Sequence, residues 1–230
     1  MNKTLFTLKD AFLKDIEILF GYISMGFIFG ILLKTSGFSA IYALIMSVFV
    51  YSGVMQFLAI SFFSNNLGLL NIFLITLILN SRQSFYTLIM LETYRKMDWK
   101  RFFNIFWLTD ETFALLKTKK PNEKSSKDLF VFFVSLLNHL YWIIGCVSGA
   151  LIGILIKFDT RGLDFIMTAI FVVIFIDQLK NAKSYIPASV GILTSIFWLV
   201  LIGEQYFILA SILTSIVLLA IFRKNLESKL

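Results

Sequence analysis

One arginine interrupts an otherwise apolar part of the sequence. Arg82 stands in the stretch ILNSRQSFY, and the surrounding run from Leu67 to Leu91 carries no other charge. Arginine stays protonated in proteins, and a charge at the centre of a bilayer costs about 2.5–3.5 kcal/mol on insertion scales. The guanidinium therefore needs an acidic partner, a water-filled cavity or an anionic ligand.

Two adjacent carboxylates in another apolar run are the obvious partners. Asp110 and Glu111 lie in the stretch FFNIFWLTDETFALL. Neighbouring helical residues point about 100° apart, so one carboxylate can face a cavity while the other faces a helix. Three interpretations stay open: a charged cluster beside a substrate path, a structural ion pair, or two acids in water at the membrane interface. Ionisable groups inside a membrane usually mark functional sites, so the charged cluster beside a substrate path is the interpretation that predicts a function.

A second polar group occupies the apolar run 41–63. Ser52 and Gln56 are one helical turn apart and share a face, and Ser47 and Tyr51 form a similar pair. These side chains either line a cavity or form hydrogen bonds between helices, which contribute about 0.6–2 kcal/mol each. For these residues taken alone, the hydrogen-bonding interpretation is favoured.

Glycines recur every four residues in two apolar runs and predict that the helices carrying them approach closely. They are Gly26 and Gly30 in the first run and Gly145, Gly149 and Gly153 in a later run. Asn138 lies on the same stripe as Gly145. The single histidine, His139, could relay a proton, but beside Tyr141 and Trp142 it fits better as a neutral packing residue.

The composition identifies the elements that must position these groups. The chain is 58% hydrophobic and only 15% charged, whereas soluble domains are about 45–50% apolar and about 25% charged. Several apolar runs reach the length of about 17–25 residues that a helix needs to cross a bilayer. The runs are 16–33, 41–63, 67–91, 102–116, 129–156, 163–179, 185–203 and 206–222. We therefore predict an all-α, polytopic helical membrane protein, with residues 1–230 forming one integral membrane domain.

The distribution of lysine and arginine predicts the orientation of this domain. Basic residues concentrate in the N-terminal tail, in the loop 117–128 and in the C-terminal tail. The positive-inside rule places all three in the cytoplasm. Residues 1–15 carry an apolar stripe, which predicts either a helix lying in the membrane interface or a short cap on the first span.

The loop 92–101 does not fit the simplest version of this topology. It contains four basic residues and would face outward if every apolar run crossed the membrane once. The discordance disappears if the runs 67–91 and 102–116 are broken or re-entrant, which is tolerated where the backbone lines a protected cavity. We predict six to eight membrane segments.

Several classes of function are disfavoured. The formal charge of +7 does not indicate nucleic-acid binding, because the basic residues flank apolar runs. The one cysteine, Cys146, and the one histidine are too few for a Cys/His metal cage within this chain, and a single cysteine cannot form a disulfide within it. No phosphate-binding loop, zinc helix or nucleophile elbow is present, so the sequence supports neither an enzyme nor a cofactor.

Five motifs, in order, resemble a known family. They are GYISMGFIFG (21–30), VYSGVMQFLA (50–59), LNSRQSFYTLIM (79–90), LTDETFALL (108–116) and NHLYWIIGCVSGALIG (138–153). Together they resemble the AzlC-type branched-chain amino acid exporters. The resemblance implies export of leucine, isoleucine, valine or analogues across a bacterial plasma membrane, with a small hydrophobic AzlD-type partner subunit. It implies site positions at Gln56, Asn80, Arg82, Asp110 and Glu111.

The chain departs from the family pattern at three places. Ser24 and Thr168 stand where proline is frequent, and Gln83 stands where histidine is frequent. Without a histidine beside Arg82, the sequence does not support a proton relay at that spot.

The resulting hypothesis is a secondary transporter. A branched-chain amino acid is a zwitterion with an apolar tail, so its carboxylate needs Arg82 or free backbone N–H groups, and its ammonium needs Asp110 or Glu111. One of these acids would exchange a proton and couple export to the proton gradient, because burial raises the pKa of a carboxyl. Tyr51 and Ser52 complete the expected substrate site. The alternatives are a passive channel and a non-transporting assembly subunit.

Overall fold

The computed structural model describes residues 3–64, 68–153, 172, 175–176, 179–180, 184–203 and 207–221, without the side chains of Ser64, Arg82, Ile208 and Leu209. All regular elements in these ranges are α-helices, as the sequence predicts. They are α1 (Lys3–Thr35), α2 (Ala40–Phe49), α3 (Gly53–Ser64), α4 (Leu69–Tyr94), α5 (Lys100–Phe106), α6 (Asp110–Thr118), α7 (Lys127–Ile152), α8 (Ile186–Ile202) and α9 (Phe207–Ile221). Most of the predicted run 163–179, Thr168 and the basic C-terminal tail lie outside the described residues.

The chain divides into two compact units, one of residues 1–66 and 79–160 and the other of residues 67–78 and 161–230. Within the second unit, α8 and α9 pack as a pair. Their contact includes a 2.6 Å hydrogen bond between the hydroxyls of Thr194 and Ser215 and a 2.9 Å bond from the Trp198 indole to Thr214.

The first unit is built on a parallel pair of helices, α1 and α7. Gly145 lies against Ile23, and Gly149, one turn further along α7, lies against Phe27, one turn further along α1. The packing leaves no room for side chains at these positions. A Cβ atom on Gly145 would come within 2.7 Å of the Ile23 carbonyl oxygen. The predicted role of the glycine stripes is confirmed.

Helix α1 continues without a break from the amphipathic N-terminal stretch into the first apolar run. Its N-terminal turns bury Thr7, Asp10 and Asp15, whereas Leu5 and Phe12 of the predicted apolar stripe are exposed. The polar face therefore packs inside the protein and the apolar face points outward.

Among the described residues, two helices, α1 and α7, are long and apolar enough to cross a membrane on their own, and α4 qualifies as a third if its bent halves form one span. The apolar run 41–63, expected as one segment, is instead two helices. The chain leaves helical geometry between Phe49 and Gly53, and Tyr51 adopts a positive φ of 41°, which L-residues with side chains rarely adopt.

The run 102–116 is broken as well, as the sequence suggested for this run. Helix α5 ends at Phe106, and α6 begins at Asp110 after three non-helical residues. Thr109 caps α6, because its side-chain oxygen accepts a 3.2 Å hydrogen bond from the backbone N–H of Thr112. Asp110 and Glu111 occupy the first turn, where negative charge is favourable to the helix dipole.

Candidate functional site

The two helix breaks meet around the single histidine of α7. The Tyr51 ring lies 4.5 Å from the His139 ring, and the rings of Phe106 and Trp107 lie 6.0 and 5.5 Å from it. His139 Nε2 lies 3.1 Å from the carbonyl oxygen of Ser47. The histidine is 7% exposed, so it packs between the two breaks, as the sequence favoured.

The first break brings predicted site residues together. The Ser52 hydroxyl donates a 3.1 Å hydrogen bond to the Asn80 side-chain oxygen, which joins the α2–α3 break to α4. Among the described residues, the Gln56 side chain forms no hydrogen bond with the side chain of Ser52 or Asn80. Its Oε1 atom accepts a 2.7 Å bond from the indole of Trp142 on α7.

Two buried polar atoms at this break, Tyr51 Oη and Gln56 Nε2, make no hydrogen bond of normal distance and angle in the described part of the chain. Their nearest polar neighbours are Tyr22 and Thr112 for Tyr51 and the Cys146 thiol for Gln56. Tyr51 is 3% exposed and Gln56 is fully buried. An unsatisfied buried donor costs about 1–3 kcal/mol, so each group needs an explanation. A ligand with hydrogen-bond acceptors would supply one.

The second break places the two predicted acids in different surroundings. Glu111 is exposed and Asp110 is half-buried. The Tyr22 hydroxyl on α1 lies 2.7 Å from Glu111 Oε2 and 2.6 Å from Thr109 Oγ1. The Tyr51 hydroxyl is also within electrostatic reach of Glu111, so the acid at the second break faces the tyrosine at the first.

Hydrogen bonds continue from this acid into the interior. Thr109 Oγ1 lies 3.0 Å from Thr112 Oγ1, which lies 2.9 Å from the amide group of Asn138 on α7. With the amide nitrogen turned toward α1, Asn138 donates to both carboxylate oxygens of Asp15 at 2.9 and 2.8 Å. Asp15 is fully buried. We refer to Glu111, Tyr22, Thr109, Thr112, Asn138 and Asp15 as the polar chain.

Sequence reasoning did not identify Asp15 or Tyr22 as site residues, although a signal for them was present. Tyr22 precedes Gly26 by one helical turn, and Asp15 precedes Tyr22 by two turns. Extending the glycine stripe of α1 toward its N-terminus therefore passes through both residues. On α7, Asn138 lies on the face that carries Gly145 and Gly149.

The predicted partner of the acids, Arg82, lies within α4, but its side chain falls outside the described residues. Its pairing with Asp110 or Glu111 stays a prediction. Among the described residues, no cluster of histidine, cysteine and carboxylate side chains could hold a metal ion.

Comparison with known proteins identifies the family. The family model described as "AzlC protein" matches residues 17–156, which include both helix breaks and every residue of the polar chain except Asp15. The chain belongs to the AzlC family. No solved structure matches it.

Two relatives show how far the AzlC resemblance extends. A Bacillus subtilis protein named "Branched-chain amino acid transport protein AzlC" is 39% identical, over 95% of this chain and 86% of its own length. A membrane protein of Helicobacter pylori is 42% identical over 99% of this chain and all of its own length. The AzlC likeness therefore covers nearly the whole sequence, including Asp15 and the C-terminal helices.

Proposed function

We propose that the chain is a secondary active transporter that exports leucine, isoleucine, valine or analogues, with proton coupling. The observation that carries this proposal is the meeting of two helix breaks. There, Tyr51 Oη and Gln56 Nε2 are buried without a hydrogen bond of normal geometry to the described residues, and Tyr51 faces Glu111. Transporters commonly form substrate sites from broken helices, where backbone N–H groups and polar side chains are freed. The name of the Bacillus subtilis relative supplies the substrate class.

The proposed site matches the two ends of an amino acid. Tyr51 Oη, Gln56 Nε2 and the first N–H groups of α3, which have no intrahelical partner, offer donors for the substrate carboxylate. Arg82 is the proposed counter-charge for that carboxylate. Ser52 and Asn80 position the break beside it.

The ammonium end of the substrate needs negative charge, which Glu111 or Asp110 would provide at the start of α6. The aromatic rings around His139 offer apolar contacts for the branched tail. We also propose that one of the two acids exchanges a proton during the cycle, so that the outward movement of substrate draws on the proton gradient.

The topology proposed for the transporter is one membrane domain of six to eight segments in the bacterial plasma membrane, with both termini and the loop 117–128 in the cytoplasm. The parallel packing of α1 and α7 supports the parity of this scheme. If both helices cross, the chain between them crosses an odd number of times. We include a small AzlD-type subunit as the proposed partner.

Transport by the purified protein in liposomes tests the proposal. We expect saturable counterflow of labelled leucine, isoleucine and valine, with methionine as the comparison, measured with and without a co-expressed AzlD-type subunit. Glu111→Gln and Asp110→Asn, made separately, test coupling, and Glu123→Gln in the exposed loop is the matched control. Unsaturable leakage would indicate a channel. If the pH dependence of transport is unchanged in both acid variants, the proposed proton coupling through Glu111 or Asp110 is wrong.

A further inference from the structure

The polar chain links an exposed acid to a fully buried acid through uncharged side chains. Its successive contacts are 2.7, 2.6, 3.0 and 2.9 Å from Glu111 to Asn138, and 2.9 and 2.8 Å from Asn138 to Asp15. All lie within hydrogen-bonding distance. Each hydrogen bond has one proton between its two heavy atoms, so the protons that the polar chain requires can be counted.

The count leaves one proton to be placed. The hydroxyls of Tyr22, Thr109 and Thr112 supply one proton each, but four contacts join Glu111 to Asn138. If the Asn138 nitrogen faces Asp15, its oxygen accepts from Thr112, the three hydroxyls all donate toward α7, and Glu111 must carry the missing proton. If the nitrogen faces Thr112, the hydroxyls all donate toward Glu111, and Asp15 must carry the proton that the Asn138 oxygen accepts.

We propose that Asp15 and Glu111 hold one shared proton, whose position is coupled to the orientation of Asn138 and of three hydroxyls. No proton on either acid leaves one contact empty, and a proton on both sets two donors against each other. The shared proton comes from water at the exposed Glu111. The polar chain holds the same number of protons in both orientations of Asn138. Its role in the transport cycle rests on the function proposed above, whereas the sharing itself does not.

Other ionisable groups also face the two acids. From the first break, Tyr51 lies within electrostatic reach of both Glu111 and Asp15. From α7, Tyr141 lies within electrostatic reach of Asp15, and Asp110 adjoins Glu111 on α6. On α1, Lys14 pairs with Asp10 and Glu17 pairs with Lys119 instead. His139 is held by Ser47. The Tyr51 hydroxyl also lies beside the hydroxyls of Tyr22 and Thr112, so it flanks the polar chain. Its single proton can be donated to either of them, and it serves none of the four contacts between Glu111 and Asn138.

Infrared difference spectroscopy of the purified full-length protein tests the sharing without any substrate. The C=O stretch of the protonated Glu111 carboxyl, assigned with Glu111→Gln, gives the pH midpoint of its protonation. Ionised Asp15 orients the chain toward itself and favours a proton on Glu111. We therefore expect Asp15→Asn to lower that midpoint by about one pH unit, a tenfold change in proton affinity.

Thr112→Val removes the central hydroxyl with little change in shape. In that background, Asp15→Asn should no longer move the Glu111 midpoint, and Thr112→Ser should restore the shift. Thr118→Val is the control, because Thr118 lies on the same helix and its hydroxyl donates to the backbone carbonyls of Ala114 and Leu115 in that helix. A shift that persists in Thr112→Val, or no shift in the otherwise unaltered protein, would overturn the shared proton. Absence of leucine counterflow would contradict the proposed function, whereas the shift of the Glu111 midpoint would still support the shared proton.

Discussion

The hydroxyl of Tyr22 lies 2.7 Å from the carboxylate oxygen of Glu111, although 89 residues separate them in sequence. The same hydroxyl lies 2.6 Å from the capping side chain of α6, Thr109. One side chain of α1 therefore holds the start of a broken helix and the acid on its first turn. Tyr22 itself is positioned by the edge-to-face contact of its ring with Trp142, at 5.6 Å.

Replacement of Tyr22 by phenylalanine should remove both bonds. We expect a loss of about 1–3 kcal/mol in the free energy of unfolding, because a capping hydroxyl and a carboxylate lose their partner. Thermal unfolding in detergent measures it. Tyr94→Phe is the matched control, since the buried Tyr94 hydroxyl has no hydrogen-bond partner among the described residues. Equal stability of the two variants would contradict the structural role of Tyr22.

Replacement of Tyr51 by phenylalanine separates binding from stability. The Tyr51 hydroxyl makes no hydrogen bond of normal geometry in the described part of the chain, although it lies beside Tyr22 and Thr112. Its removal should therefore change the free energy of unfolding by less than about 1 kcal/mol. If the hydroxyl binds substrate, the KM for leucine should rise about tenfold, as expected for the loss of one hydrogen bond to a charged group. Initial rates of uptake into liposomes measure KM. Unaltered KM would remove Tyr51 from the proposed site.

The close contact of α1 and α7 predicts opposite effects for two glycines of the same helix. A Cβ atom on Gly30 would lie 2.5 Å from the backbone nitrogen of Ala150, whereas one on Gly21 would meet nothing within 4 Å. Gly30→Ala should cost about 1–3 kcal/mol, as overpacking does. Gly21→Ala should be neutral or stabilising by up to about 1 kcal/mol. Detergent unfolding curves compare them, and a tolerated Gly30→Ala would argue against the helix register.

The carboxylate of Asp10, which precedes the apolar part of α1, anchors the loop between α6 and α7. It accepts 2.8 Å hydrogen bonds from the backbone N–H of Asn122 and the hydroxyl of Ser125, and Lys14 lies 3.1 Å away. Burial alone would raise the pKa of this carboxyl, but these hydrogen bonds and the lysine charge lower the pKa below its ordinary value of 3.8. The loop is therefore held by the ionised form.

This anchoring predicts a pH dependence. A carboxyl whose pKa is lowered on folding contributes stability that is complete above pH 3.8 and is lost as the pH falls further through the lowered pKa. Asp10→Asn should reproduce the low-pH state at neutral pH. Hydrogen exchange of residues 119–126 should then be faster, whereas Glu123→Gln in the same loop should not change it. Unchanged exchange in Asp10→Asn would show that other contacts hold the loop.

The helical membrane architecture was predictable because it depends on local properties of the chain. Apolar runs of bilayer length dictate helices, since a lipid-exposed backbone must satisfy its own hydrogen bonds. Glycines at one-turn spacing predicted the close faces of α1 and α7. The basic loop 92–101 and the acids at 110–111 correctly pointed to a break in the run 102–116. At Tyr51 the sequence indicated only that Gly53 could loosen the helix, and it did not predict a full break, because neither proline nor charge accompanies the glycine.

The sequence by itself determined which segments are helices and which two of them approach closely, because both properties follow from residue type and helical period. It did not determine which face of a helix is inward. In a membrane, apolar side chains suit both lipid and protein interior, so the leucine stripe of α1 could not be distinguished from a buried face. The burial of Asp15 and its link to Glu111 were decided only by tertiary structure, since Asn138 and Tyr22 become neighbours of these acids only when α1, α6 and α7 pack together.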